Sequence, residues 1–197
     1  MLETITSFLL KGIAVVFAIV FHEMAHGYMS YWLGDKTAKS MGRLSINPLQ
    51  HIDPVGAICL LIFGFGWAKP VPIDYRYYKN GKVGVFLVAL AGPLTNIILA
   101  IISVGAMLYI PVPILQEFFY IFMMINIGLG AFNLIPIPPL DGSKMVGVLL
   151  PKNTYESIMA YEHYGMFILM IMLATGALDP VHSALTQMIF NLIGIIY

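Results

Sequence analysis

From Val83 to Ile110 the chain runs 28 residues without a single charge. A helix crosses a bilayer's hydrocarbon core with about 20 mostly apolar residues, so this segment alone can span one. The rest of the chain agrees. Of 197 residues, 59% are hydrophobic and 10% are charged, whereas a soluble domain carries about 25% charged residues. Twenty Lys, Arg, Asp and Glu side chains cannot clothe a globule of this length, and 10 positive against 10 negative leaves no net charge. These numbers exclude an ordinary soluble enzyme, a disordered chain and a nucleic-acid binder with a basic face. Cys59 is the only cysteine, so neither an internal disulfide nor a zinc ribbon is available.

Two further runs read as full spans. Ile5 to Phe21 is apolar apart from Thr6, Ser7 and Lys11, and helical character can continue to about Leu33. It lacks a basic leading region and a small-residue cleavage site, so it reads as a mature first span and not as a signal peptide. Phe118 to Leu140 is uncharged and is broken late by Pro136, Pro138 and Pro139. Tyr164 to Leu178 and Pro180 to Tyr197 are shorter apolar runs that supply one or two C-terminal helices. Asp53 to Gly66 is too short to cross and reads as a re-entrant or interfacial hairpin, tolerated at depth only where protein covers its backbone. The expectation is one all-α polytopic membrane domain over residues 1–197, with a three-helix core, a re-entrant hairpin and those C-terminal helices. If the hairpin does not cross, nine of the ten basic residues, Lys36 through Lys152, fall on one side. The segments Pro111 to Glu117 and Asp179 to Ser183 hold none, which predicts cytoplasmic polar loops and an external N-terminus.

Ionisable groups inside a membrane are costly, and the first span ends in three: His22, Glu23 and His26. Residues four apart share a helix face, so in this H-E-x-x-H pattern two imidazoles can meet one metal ion. Zinc takes imidazole nitrogen readily, keeps one position open in catalytic sites, and lowers the pKa of its water to about 7. Glu23, beside the first histidine, is placed to take the water proton and deliver it to a leaving amine. The competing reading has both histidines merely hydrogen-bonded to neighbouring helices. A third ligand is needed, and Met29, Trp32 and the gap to Glu117 rule out the extended forms of the motif. The candidates are His51, Asp53, Asp141, Glu162 and His163. Asp141 is preferred because it follows the proline-broken end of the third span, where the first span brings its histidines. Gly142 beside it allows close backbone approach.

At these residues the chain resembles the site-2 proteases, intramembrane zinc metalloproteases of the small bacterial and archaeal type. The matching pieces are His22 to His26, the Gly92 to Asn96 element, the stretch from Asn133 to Gly142, and the segments Gly42 to Pro48 and His51 to Pro54. The first three lie in the family's order across about 120 of the 197 residues. The resemblance implies one zinc ion on His22, His26 and Asp141, with Glu23 as catalytic base and the three spans as the core. It further implies peptide-bond hydrolysis within or near transmembrane segments of membrane proteins, in a prokaryotic cell membrane. No additional module indicates how substrates are selected.

The remaining polar residues divide less cleanly. Asn96 and Asn133 are candidates for binding the substrate strand or the oxyanion, against plain interhelical hydrogen bonding. Asn126 reads as structural. His51 and Asp53 read as loop hydrogen-bonding groups, Glu162 and His163 as interfacial, and His182 as solvated in an outer loop. Tyr75, Tyr77 and Tyr78 read as an interfacial aromatic belt. Two other functions compete with proteolysis. A divalent-metal transporter is disfavoured by the absence of an inverted repeat. A proteolytically silent scaffold is disfavoured by the completeness of the polar set. Oligomeric state is not legible.

Overall fold

The computed structural model describes residues 2–63, 66–151 and 162–195. Three helices have the length and apolarity of membrane spans: α1 (Leu2–Trp32), α4 (Gly81–Tyr109) and α5 (Pro113–Asn133). Between them lie a single turn, α2 (Thr37–Ser40), and the short apolar helix α3 (Pro54–Phe63). After α5 come α6 (Asp141–Gly147), α7 (Glu162–Ala174) and α8 (Asp179–Leu192). The only β pairing among the described residues is one antiparallel bridge between Ile52 and Ala68.

The span boundaries follow local chemistry. Asn80 caps α4, its side-chain oxygen accepting from the Val83 amide at 3.3 Å. Pro113 opens α5 at its first position, where a missing N–H costs nothing. That start lies before Phe118, and the helix ends at Asn133 where the apolar run itself continues to Leu140. Pro136 biases its predecessor away from helical dihedrals, and residues 134–140 form turns that lead directly into α6.

The three spans pack against one another, with α4 touching both α1 and α5. Small residues set the approach. Ala14 and Ala18 of α1 are fully buried against Ile121 and Phe122 of α5, and Ala100 of α4 meets Met123, Ile127 and Ala131. Without a strong solvent-driven force between helices in lipid, close contact of small side chains supplies the attraction. Large apolar residues such as Phe8, Ile101, Ile102 and Phe167 point outward, as lipid-facing positions must.

The C-terminal pair is a broken unit. α7 has 13 residues and α8 has 14, and they meet at 88°. At about 1.5 Å per residue the described part of each is roughly 20 Å long, shorter than a core of about 30 Å. The bend places α8 on α5, where Ile189 and Phe190 join the cluster of Ala100 and Ile127. His182 is thereby half-buried and not solvated. Its Nε2 donates to the Gly128 carbonyl at 3.1 Å and its ring lies against Phe132. Gly128 has no side chain to shield that carbonyl, and the contact draws the expected outer loop inward beside the last third of α5.

A polar clamp organises the loop after α1. Gly34 turns the chain at φ +110°, which only glycine adopts freely, and Asp35 follows fully buried. The Asp35 carboxylate accepts from the Thr37 amide (2.8 Å), the Asp74 amide (2.8 Å) and the Ser30 hydroxyl (2.7 Å). Because Ser30 donates there, the Tyr78 hydroxyl donates to Ser30 at 2.6 Å. Tyr78 is therefore buried, Tyr75 borders the cavity described below, and only Tyr77 is an exposed ring. The expected belt splits into three different environments. Burial pushes the Tyr78 hydroxyl up to about 12. Burial also acts to raise the Asp35 carboxyl, but its hydrogen bonds prevail and hold it below the usual carboxylate range.

Candidate metal centre

His22 and His26 lie one turn apart on α1 and face α4. The room for them comes from Gly92: a methyl group there would sit 2.5 Å from His22 Cε1 and 2.5 Å from His26 Nε2. The far nitrogens of both rings are held from α4. His22 Nδ1 lies 2.6 Å from Asn96 Oδ1, and His26 Nδ1 lies 2.7 Å from the Val88 carbonyl. Both acceptors are oxygens, so each Nδ1 donates, and in the neutral ring Nε2 is the nitrogen that presents a lone pair. Pro93 lacks an N–H, which removes one helical hydrogen bond beside these contacts.

Asp141 arrives from the other side. The turn after α5 drops it at the first position of α6, and Gly142 packs on the backbone of Leu134 and Ile135 with no space for a side chain. Asp141 Oδ2 lies 3.2 Å from His22 Nε2 and 3.2 Å from His26 Nε2, and the two Nε2 atoms are 3.1 Å apart. Three acceptor atoms at such spacing need a proton or a metal ion among them. Asp141 Oδ2 is buried and has no hydrogen-bond donor among the described residues. Tetrahedral zinc, with bonds of about 2.0–2.1 Å, separates its ligands by roughly 3.3 Å. The donor set and its spacing therefore fit zinc, and these three residues could hold it.

Glu23 stands beside this triangle, and its Oε2 accepts from the Val71 amide at 3.0 Å. Val71 belongs to the non-helical residues 66–74, which are tied down by Lys69 N to the His51 carbonyl (2.8 Å) and by Arg43 to the carbonyls of Lys69 and Pro70. Together these elements enclose a cavity of about 580 Å³ bordered by His22, Glu23, His26, Asn133, Asp141 and Lys144. A more apolar cavity of about 510 Å³ adjoins it, sharing Ile19, Trp67, Leu129 and Phe132.

The other candidates separate by position. Asn133 borders the cavity, with one amide hydrogen donated to the Leu129 carbonyl at 3.0 Å. Asn96 is fully buried behind His22, and Asn126 bonds to it at 2.8 Å. His51 is buried with its Nε2 on the Ser45 carbonyl at 2.7 Å, and Asp53 caps α3 through the Val55 and Gly56 amides. Both border the second cavity. The side chains of Glu162 and His163 lie outside the described residues. Sequence reasoning missed the Val88 carbonyl, the Val71 amide and the Ser30–Asp35–Tyr78 clamp. A backbone group has no sequence signature, and a lone aspartate after a glycine forms no pattern.

Comparison with known proteins gives a consistent answer. Peptidase family M50 matches at residues 112–175. A Bacillus subtilis (strain 168) protein named "Putative zinc metalloprotease YwhC" is 36% identical over 173 residues, which cover 83% of this chain and 79% of that one. MJ0611 of Methanocaldococcus jannaschii, named in the same way, is 35% identical over 149 residues, covering 73% and 72%. The "Zinc metalloprotease MJ0392" of the same archaeon is 25% identical over 165 residues, covering 82% of this chain and 41% of its own length. No solved structure matches significantly.

Proposed function

Since the chain belongs to peptidase family M50, the site-2 proteases, and is a zinc metalloendopeptidase and an integral membrane protein, we propose that it cuts peptide bonds within or near transmembrane segments of other membrane proteins. In this reading His22, His26 and Asp141 hold the zinc ion and Glu23 is the general base. The whole of residues 1–197 acts as one catalytic domain with its polar loops in the cytoplasm of a prokaryotic cell.

The observation that carries the reading is the meeting of His22 Nε2, His26 Nε2 and Asp141 Oδ2 at 3.1–3.2 Å, with Glu23 alongside, between helices that otherwise face lipid. Zinc held by these three residues would supply Lewis acidity and would lower the pKa of a water there to about 7. Glu23 takes the water proton on its carboxylate and returns it to the leaving amine nitrogen. The Val71 amide engages one carboxylate oxygen of Glu23 and so fixes how the group presents itself. Asn133, which borders the cavity, would donate its second amide hydrogen to the developing oxyanion or the substrate backbone. A substrate helix hides its amides in internal hydrogen bonds, so its segment must unwind before cleavage. Residues 66–74, along the cavity, give that unwound segment a backbone to lie against.

The test is cleavage of a single-span reporter co-reconstituted in liposomes, read by fragment mass. The expected result is a cut inside or at the edge of the reporter's apolar segment, slowed by about 10²–10⁴-fold in Glu23→Gln. Cleavage confined to soluble peptides, or undiminished in Glu23→Gln, contradicts it.

A further inference from the structure

We infer that Asn96 is a positioning residue for metal binding, oriented by Asn126, and that this pair decides which ring nitrogen of His22 carries the proton. The inference rests on the assignment of His22 as a metal ligand.

A backbone carbonyl can only accept a hydrogen bond. The Phe122 carbonyl receives Asn126 Nδ2 at 2.8 Å. That contact fixes which way the Asn126 amide points, because a reversed amide would set two oxygens against each other. Asn126 Oδ1 therefore faces Asn96 and accepts from its Nδ2 at 2.8 Å. The Ala18 carbonyl lies 3.4 Å from the same Nδ2, so this end of Asn96 is committed as a donor. Only Asn96 Oδ1 is left for His22, and it meets Nδ1 at 2.6 Å. An amide oxygen cannot donate, so Nδ1 bears the hydrogen, and in the neutral, metal-binding ring the lone pair is on Nε2, which lies 3.2 Å from Asp141 Oδ2. Asn96 and Asn126 are both 0% exposed, so bulk solvent reaches neither.

The neighbouring ligand has the same arrangement without a side chain, since the Val88 carbonyl accepts from His26 Nδ1. One histidine is thus oriented by backbone and the other by a relay of two asparagines running from α5 through α4 to α1. Partners of this kind fix the tautomer and orientation of a metal-bound imidazole, and their loss costs about 10–100-fold in metal affinity.

The experiment measures zinc affinity of the detergent-purified chain by chelator competition, with the visible spectrum of the cobalt(II)-substituted protein as a second readout. Asn96→Leu removes the acceptor and is expected to weaken zinc by about 10–100-fold and to alter the cobalt bands. Asn96→Asp keeps an acceptor toward Nδ1 but sets its second oxygen against the Asn126 oxygen, and is expected to hold zinc more tightly than Asn96→Leu does. Asn126→Leu never touches His22, yet it frees the Asn96 amide to turn and is expected to weaken zinc by a smaller factor. That variant keeps the inference testable if Asn96→Leu does not fold. A purely structural hydrogen bond would instead lower the melting temperature of the metal-free Leu and Asp variants alike and leave zinc affinity unmoved. That pattern overturns the inference while leaving the ligand assignment intact. A wild-type chain that takes up no zinc overturns both.

Discussion

Gly92→Ala gives the sharpest separation between helix stability and site integrity. In an ordinary helix this change is favourable by about 0.8–1.0 kcal/mol. Here the new methyl would lie 2.5 Å from His22 Cε1, 2.5 Å from His26 Nε2 and 2.6 Å from His26 Cε1. Carbon atoms in contact sit about 3.5–4.0 Å apart, so both rings must retreat by roughly 1 Å or more. Metal–ligand distances tolerate about 0.2 Å, so two of three ligands would be displaced severalfold beyond that range. Zinc affinity should fall by more than the about 10–100-fold typical of losing a hydrogen-bond partner behind a ligand. The assay is chelator competition on wild type, Gly92→Ala and Gly105→Ala. Gly105 lies on the same helix, and a methyl there meets nothing within 4 Å. The control should keep wild-type affinity. A Gly92→Ala protein that binds zinc as wild type does would refute the placement of α1 against α4 and everything built on it.

Other outcomes follow from the same geometry. Glu23→Gln should retain zinc, because Glu23 is not among the three converging donors, while cleavage falls by about 10²–10⁴-fold in a liposome assay. Gly142→Ala pushes a methyl into the Leu134 carbonyl. Overpacking of this kind costs about 1–3 kcal/mol, and because it moves Asp141 the zinc content should drop with it. Asp35→Asn turns one acceptor oxygen into a donor that faces an N–H or hydroxyl. Each such group left unsatisfied costs about 1–3 kcal/mol, read as a lower melting temperature in detergent. The pH dependence has a definite sign. Asp35 in the fold titrates below its ordinary value of about 3.9, so its stabilisation is complete above about pH 4 and is lost as pH falls further. The melting-temperature difference between wild type and Asp35→Asn should therefore shrink on acidification from pH 6 to about pH 3.

Much of this was legible in the sequence because membranes impose strong rules. A charge-free stretch long enough to cross is hard to read any other way, and α1, α4 and α5 appear where the apolar runs lie. The spacing of His22 and His26 placed both rings on one face, and the proline-rich end of the third apolar run pointed to Asp141. What failed to show depends on tertiary placement. The two apolar runs Tyr164 to Leu178 and Pro180 to Tyr197 show a break but not its 88° angle, because lipid and protein surroundings select the same side chains. His182 looked solvated because nothing nearby in sequence indicates that the Gly128 carbonyl awaits it. Asn96 and Asn133 look alike as residues in apolar runs. Asn96 lies mid-helix behind a ring, and Asn133 ends α5 on a cavity wall, a difference that residue type alone does not show.

The most direct test of the central claim is zinc per chain, by elemental analysis, in detergent-purified wild type and Asp141→Ala supplied with the same metal. The account predicts about one zinc on the wild type, as the three-ligand site requires, and a large loss in the variant. Undiminished zinc in Asp141→Ala would contradict the three-residue site, and no zinc in either would contradict the metal centre itself.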